Sequence, residues 1–319
     1  MGIYNFDIVI LGGGPAGLSA GIYSGRSNVS TAILDITMLG GQPSNYLELE
    51  NYPGFSLIGG FELMEKFEEQ ADKFNAQKFP MVEIKNIDLT SNPKLIETIE
   101  DTFYAKSVII ACGAQAKKLD IKGEKEFIGR GVSYCAVCDG AFYKDKIVTI
   151  IGGGNAAVEE AMYLTKFAKE VYIVHRRDKL RADKIIQERA FKNNKLKFIW
   201  DCKPLEIQGN DTVTSIVIKN IKTGEITNLK TDGVFPYIGF TPNVEGFSGQ
   251  LQQDENGFII TDSTMQTSIE GVFAVGDVRN TPLRQVITAA SDGAISAVYA
   301  SKYIEHLAEK EQYIEKSSL

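Results

Sequence analysis

The chain reads as an α/β protein built from two Rossmann-like dinucleotide-binding domains, and three observations carry that reading. Two glycine-rich turns, Gly12-Gly13-Gly14-Pro15-Ala16-Gly17 and Gly152-Gly153-Gly154-Asn155-Ala156-Ala157, each follow a short apolar run. Each also opens a stretch of helical composition. Twenty-three residues after the first glycine, where the next apolar run ends, stand Asp35 in one case and His175 in the other. Strand, glycine turn, helix, strand and a selector at that offset make the βαβ unit that grips a dinucleotide pyrophosphate.

The elements follow in order. Phe6 to Leu11 is a strand that runs into glycine, Ala16 to Arg26 a helix, and Thr31 to Asp35 the second strand. Residues 60–79 place apolar side chains at helical spacing with charges between them, which predicts a helix. Ser107 to Ala111 is a further buried strand that ends in Cys112-Gly113-Ala114. The pattern then repeats with strand Lys146 to Ile151, turn Gly152 to Gly154, helix Ala156 to Phe167 and strand Val171 to Val174. Strand-like runs across 196–235 complete the second unit. Gly271 to Asp277 is a short apolar strand ending in an acid, and 284–304 reads as a long helix. The mostly charged stretch from Lys302 to Leu319 is expected to form the helix end and a frayed tail.

Within the first turn, Gly12 makes the tight bend, Gly14 lets backbone approach the pyrophosphate, and Gly17 lets helix and strand pack closely. The helix N-terminus adds partial positive charge. Asp35 at the selector position suits a free ribose 2′-hydroxyl. The second turn is the version ending in alanine, and its selector is followed by arginines: His175-Arg176-Arg177, then Arg181. Arginine grips phosphate bidentately, so this cluster predicts a dinucleotide bearing a 2′-phosphate. A solvated basic surface is the plainer reading of such a run. It is outweighed here by the position of the cluster and by a net charge of −7.

Between the turns lies Cys135-Ala136-Val137-Cys138-Asp139-Gly140. A structural zinc site needs four ligands, and the remaining cysteines, Cys112 and Cys202, are far away in sequence, with only two histidines in the chain. No metal site is expected. A reversible disulfide fits the spacing, one thiolate attacking a partner disulfide and the other resolving the mixed intermediate. Asp139 is placed to relay a proton, or simply to make the turn before Gly140. His306 sits in a charged tail segment and offers no alternative acid–base group.

The acidic balance argues against a nucleic-acid partner. No apolar stretch reaches the length of a membrane span, and the N-terminal residues lack the basic and apolar regions of an export signal. Four scattered cysteines do not make a disulfide scaffold. A cytoplasmic location is expected.

Together these residues resemble the low-molecular-weight thioredoxin reductases, a flavoprotein family, nearly end to end. Gly129-Arg130-Gly131-Val132-Ser133 through Cys135 to Gly140 is similar to the family's most specific motif. Gly40, Gly41, Gln42 and the stretch Glu50 to Gly54, including Asn51, resemble its next FAD-contacting segments. Gly113, Gly276, Asp277, Arg284 and Gln285 resemble the remaining FAD contacts. Gly152, Gly154, Asn155, Ala156, His175, Arg176, Arg177 and Arg181 resemble the NADPH site. The resemblance implies an FAD domain with an inserted NADPH domain, both of the three-layer ββα type. The divisions would be 1–116 for the first part of the FAD domain, 117–244 for the NADPH domain carrying the disulfide, and 245–319 for the second part. It also implies that Cys138 is the thiol next to the flavin, that Cys135 meets a thioredoxin disulfide, that Asp139 relays a proton, and that the protein is a homodimer. Departures are Cys112 for threonine, Ser291 for glycine, and Pro43 for a larger apolar residue.

The resulting expectation is an NADPH-dependent thioredoxin-disulfide reductase. Its rivals are a reductase of the same build with another redoxin target or a ferredoxin donor, and a flavin-dependent dithiol oxidase. The basic cluster after the second turn counts against both donor changes. Cys135 and Cys138 have no use in a ferredoxin–NADP reductase or in a nucleotide-sensing protein.

Overall fold

The computed structural model describes residues 2–46, 48–247 and 249–317, with backbone only for Val137, Cys138 and residues 311–317. The chain divides into two compact units. One combines Met1–Gln115 with Thr241–Leu319, and the other is Ala116–Phe240.

The first unit opens with β1 (Ile3–Leu11), α1 (Pro15–Arg26), β2 (Thr31–Leu34), α2 (Gly60–Lys73), β3 (Gln77–Phe79), β4 (Ile84–Asp88), β5 (Lys94–Thr98), β6 (Thr102–Ile110) and β7 (Ala114–Ala116). The second contains α3 (Ala136–Asp139), β8 (Ile147–Gly152), α4 (Asn155–Leu164), β9 (Glu170–Val174), α5 (Lys184–Phe191), β10 (Leu196–Ile199), β11 (Cys202–Gly209), β12 (Val213–Asn220), β13 (Ile226–Lys230) and β14 (Gly233–Tyr237). The chain returns through β15 (Phe240–Pro242), which pairs with β7, and ends with β16 (Val272–Ala274) and α6 (Val286–Ser317).

Each unit layers a parallel sheet between helices and an antiparallel layer. In the first, β3, β2, β1 and β6 run parallel, and β16 joins the C-terminal half of β6. The N-terminal half of β6 instead pairs antiparallel with β5, and β5 with β4. One strand thus serves two layers. Alternate residues of β1 divide accordingly. Ile8 and Ile10 pack with α1, α2 and α6, whereas Val9 and Leu11 pack with the antiparallel side. The second unit repeats the scheme with parallel β10-β9-β8-β14 and antiparallel β11-β12-β13. This is a two-domain α/β architecture of Rossmann-like units.

Three expectations are corrected. The helix foreseen over 60–79 ends at Lys73, because Asn75 adopts a left-handed φ of 60° and residues 77–79 join the sheet edge beside β2. The antiparallel strands between residues 84 and 106 are absent from the sequence reading, although Phe103 and Ala105 alternate there with more exposed neighbours. The C-terminal helix continues through Ser317 rather than ending near 304. Ala, Leu, Glu, Lys and Gln dominate that stretch, and all are strong helix formers.

Phe103 is fully buried in the N-terminal half of β6, opposite Ile96 of β5, stacked on Tyr4 at 5.1 Å and edge-on to Phe79 at 5.0 Å. Phe103→Ala is expected to destabilise the first unit by about 3–5 kcal/mol. Denaturant titration with a probe in that unit checks it, and an unmoved midpoint would contradict the packing described.

Candidate active site

In the first unit the glycine turn closes by steric necessity. Gly12 has φ +111°, and a Cβ on it would strike the Ala111 carbonyl. A Cβ on Gly17 would overlap the Gly12 carbonyl oxygen, so α1 can rest on the end of β1 only with glycine there. Gly14 is the N-cap of α1 and offers no side-chain cap, and Pro15 follows it at the first helical position. The backbone N–H groups of Ala16 and Gly17 in this first turn have no intrahelical acceptor.

The other residues expected at this site assemble around the turn. The Gly13 N–H donates to Asp35 Oδ2 at 2.6 Å, while Asp35 Oδ1 accepts from the Thr37 N–H and hydroxyl at 2.7 and 2.8 Å. The selector carboxylate is therefore fixed against the loop. The Gly40 N–H donates to the Gly13 carbonyl at 2.8 Å, and a Cβ on Gly41 would stand 3.0 Å from Gly14 Cα. The Gln42 amide donates to the Ala114 carbonyl. Gly113 has a left-handed backbone and accepts from the Asn243 N–H at 3.1 Å. Asn51 donates to Gln285 Oε1 at 2.9 Å, which joins residues 234 positions apart. Gly276 packs beside Ala16.

Among the described residues, Asp277 and Arg284 Nε lack hydrogen-bond partners here. Burial pushes the Asp277 carboxyl from 3.8 up to about 6, with Arg284 opposing the shift and Asp292 adding to it. No donor bonds to it among the described residues. Arg284 Nε is buried without an acceptor, and its guanidinium lies 4.0 Å from the Phe258 ring centroid. An acid ready to accept, a buried donor and an uncapped helix N-terminus are what a ribityl–pyrophosphate chain requires, so these residues fit FAD.

The sequence reading missed the support beneath them. Asp292 is 7% exposed on α6, pairs with Arg279 at 2.8 Å and accepts the Gly276 N–H at 3.1 Å. The available signal was an acid on the alanine-rich face of that helix. Of the departures, Cys112 donates to the Leu11 carbonyl at 3.3 Å, and burial, with a smaller push from Asp35, raises its thiol to about 12. Pro43 is buried and Ser291 exposed.

The second unit has its own turn. Gly154 caps α4 with open space where its Cβ would be, and Ala156 is partly exposed just inside the helix. Asn155 and Asp183 lock together, Nδ2 donating at 2.8 Å and the Asp183 N–H returning at 2.7 Å. The Arg181 and Ala182 N–H groups both donate to the Gly153 carbonyl, at 2.6 and 3.2 Å. The arginine segment is thereby stitched to the glycine turn. Arg176, Arg177 and Arg181 are exposed, and the neighbouring Asp178 and Asp201 turn to Lys222 instead.

His175 differs from the cation the sequence suggested. It is 4% exposed, and its ring fills the space where a Cβ on Gly153 would stand. Burial, then the charges of Arg181, Arg177 and Arg176, lower its pKa, so it is a neutral support under the turn. Its Nε2 is buried without a partner among the described residues. The positive charge resides in the arginines alone.

Cys135 is disulfide-bonded, whereas Cys112 and Cys202 are free thiols. The Cys138 side chain lies outside the described ones. The Cys135 N–H donates to Ser133 Oγ at 3.1 Å and the Ala136 N–H to the Tyr237 hydroxyl at 3.0 Å. Asp139 begins one turn on, its N–H reaching the Cys135 carbonyl at 3.2 Å. Its carboxylate is partly exposed and, after burial, helps push the Tyr143 phenol up to about 12.

Two glycine turns at helix N-termini, one per unit, with a disulfide-bonded cysteine in the second, define the class as a two-nucleotide disulfide oxidoreductase. Residues 6–293 match the pyridine nucleotide-disulphide oxidoreductase family. The chain is 46% identical over 305 residues to a thioredoxin reductase of Bacillus subtilis (strain 168), covering 95% of this chain and 96% of that one. It is 48% identical over 307 residues to a thioredoxin reductase of Peptoclostridium acidaminophilum, covering 94% and 97%. The crystal structure of Lactococcus lactis thioredoxin reductase matches with a TM-score of 0.91 at 48% identity, covering 94% of this chain and 99% of the other. The chain belongs to the thioredoxin reductase family, flavoproteins that use FAD and NADPH.

The Asp277 shift has a sign that can be checked. A carboxyl with its folded pKa raised from 3.8 to about 6 favours the folded state at low pH. That contribution is lost as pH rises through 6. In flavin-free protein, Asp277→Asn should therefore raise Tm at pH 8, with the gain shrinking toward pH 4. An equal Tm difference at both pH values would show that the carboxyl is not held as described.

Proposed function

We propose that this chain is an NADPH-dependent thioredoxin-disulfide reductase, with FAD held by the first unit and NADPH by the second. The observation that carries the donor assignment is the set of exposed arginines tied through Arg181 to the Gly153 carbonyl. They follow the selector offset of the second βαβ unit, where a ribose 2′ group is expected, and the neighbouring acids Asp178 and Asp201 are engaged by Lys222. Asp35, braced by three donors, takes the hydroxyls of the FAD ribose in the first unit.

FAD, held by the Gly12–Gly17 turn, Asp35 and Asp277, would supply the two-electron redox chemistry that links the nicotinamide to the disulfide. The remaining steps belong to the chain. Reduction breaks a Cys135–Cys138 bond and leaves two thiols. The Cys135 thiolate attacks the thioredoxin disulfide, forming a mixed disulfide and releasing one thioredoxin thiolate. The Cys138 thiolate then attacks Cys135 Sγ, which re-forms the Cys135–Cys138 bond and frees the second thioredoxin thiolate. Asp139, next in the chain to Cys138, supplies and removes the protons. We further propose a cytoplasmic homodimer, in keeping with a cycle that ends in free thiols. No helix among the described residues is long and apolar enough to cross a membrane.

Two outcomes test this reading. Cys135→Ser and Cys138→Ser should each lower thioredoxin reduction by at least about a thousandfold while flavin content stays normal, since neither serine supplies a thiolate. Residual turnover near wild type would rule out the dithiol route. Replacing both Arg177 and Arg181 by alanine should raise KM for NADPH about a hundredfold or more, each lost phosphate contact being worth about 1.5–3 kcal/mol. The KM for NADH should hardly move. Parallel losses with both donors would reject 2′-phosphate recognition.

A further inference from the structure

The second unit buries a carboxylate that neither nucleotide site nor disulfide uses directly. Glu124 is 1% exposed. Its Oε2 accepts from the Asp120 N–H at 2.7 Å, and its Oε1 from the Leu119 N–H at 2.7 Å and the Tyr134 hydroxyl at 2.6 Å. Among the described residues no cation pairs with it, so three neutral donors hold the charge. Burial, then Glu124 and Asp120, push the Tyr134 phenol well above its usual range. It therefore remains a donor at any physiological pH. Hydrogen bonds to a buried charge are the strong kind and leave little freedom to their donors.

The positions of those donors give the carboxylate its interest. Tyr134 immediately precedes Cys135. Leu119 and Asp120 lie a few residues inside the unit, which begins at Ala116, and Asp120 turns there through a left-handed φ of 53°. The backbone around Cys135 is held to β14 by the Ser133 N–H on the Val234 carbonyl at 3.1 Å and by Tyr237. The Tyr134 side chain ties that segment to residues 119–124 through its hydrogen bond to Glu124.

We propose that Glu124 and Tyr134 are positioning residues for the redox cysteines, a buried clamp that fastens the Cys135 segment to the incoming chain. A backbone already ordered loses less entropy when the disulfide closes, so the clamp favours the disulfide over the open dithiol. The inference rests on the redox role of Cys135 and Cys138 proposed above.

The test equilibrates the flavin-loaded protein anaerobically with mixtures of reduced and oxidised dithiothreitol. Free thiols are then trapped by alkylation, and labelling at Cys135 and Cys138 is read by mass spectrometry. Tyr134→Phe removes one oxygen and nothing else, and Glu124→Gln keeps the volume. Each should shift the equilibrium toward the dithiol roughly three- to tenfold, because only part of the worth of a hydrogen bond to a charge is coupled to closing the disulfide. The double variant should shift it by less than the product of the two. Wild-type equilibria in Tyr134→Phe, or single effects that simply multiply, would overturn the clamp and leave the redox reading intact. Wild-type cysteines that dithiothreitol cannot reduce would instead overturn the redox reading, and the clamp with it.

Discussion

Nucleotide binding in this chain depends on a steric constraint at the end of a strand. Helix α1 can rest on β1 only because Gly17 has no side chain where the Gly12 carbonyl stands. That contact brings the uncapped helix N-terminus and the Gly13 N–H to one place, with Asp35 locked against them. The second unit meets the same demand differently. There Gly153 gives way to the His175 ring, and the Gly153 carbonyl gathers two N–H groups from the arginine segment. One solution ends in a carboxylate and the other in cations, and the difference in charge follows from what each βαβ unit carries at the same offset.

The polar groups left short of protein partners describe the kind of ligand the site suits. Isolated buried carboxyls and guanidinium nitrogens are costly, and the fold tolerates Asp277 and Arg284 in that state. Both sit where the Arg279–Asp292 pair and the Gly276 N–H stiffen the wall behind them. A bound chain with hydroxyls and phosphates offsets these costs. The site is thus less comfortable without its cofactor than with it, as expected of a surface shaped for a transferring group rather than for stability alone.

Much of this was legible in the sequence, for reasons that differ by element. The glycine turns announce themselves because few other residues tolerate those backbone paths, and Asp35 and the arginines follow at a fixed offset. The CxxC pair stands out because the chain has no second pair to make a metal site with. Other features were hidden. The periodicity of residues 60–79 masks its own stop signal, Asn75, a residue type that readily turns left-handed after a helix and here hands the chain to an edge strand. The meander before β6 is short and partly polar, so its alternation is faint. His175 reads as a cation in a run of cations, and only packing under Gly153 reveals it as a neutral support. Glu124 looks like one acid in a charged loop until Tyr134 and two backbone N–H groups close on it.

We infer that one chain carries two nucleotide sites and a disulfide in electronic series. Anaerobic titration of the oxidised protein with NADPH, with flavin absorbance and free thiols followed together, tests it most directly. The expected result is uptake of about four electrons per chain, two for the flavin and two for the disulfide, with two new thiols appearing at Cys135 and Cys138. Uptake that stops at about two electrons, with the flavin bleached and the thiol count unchanged, would contradict it.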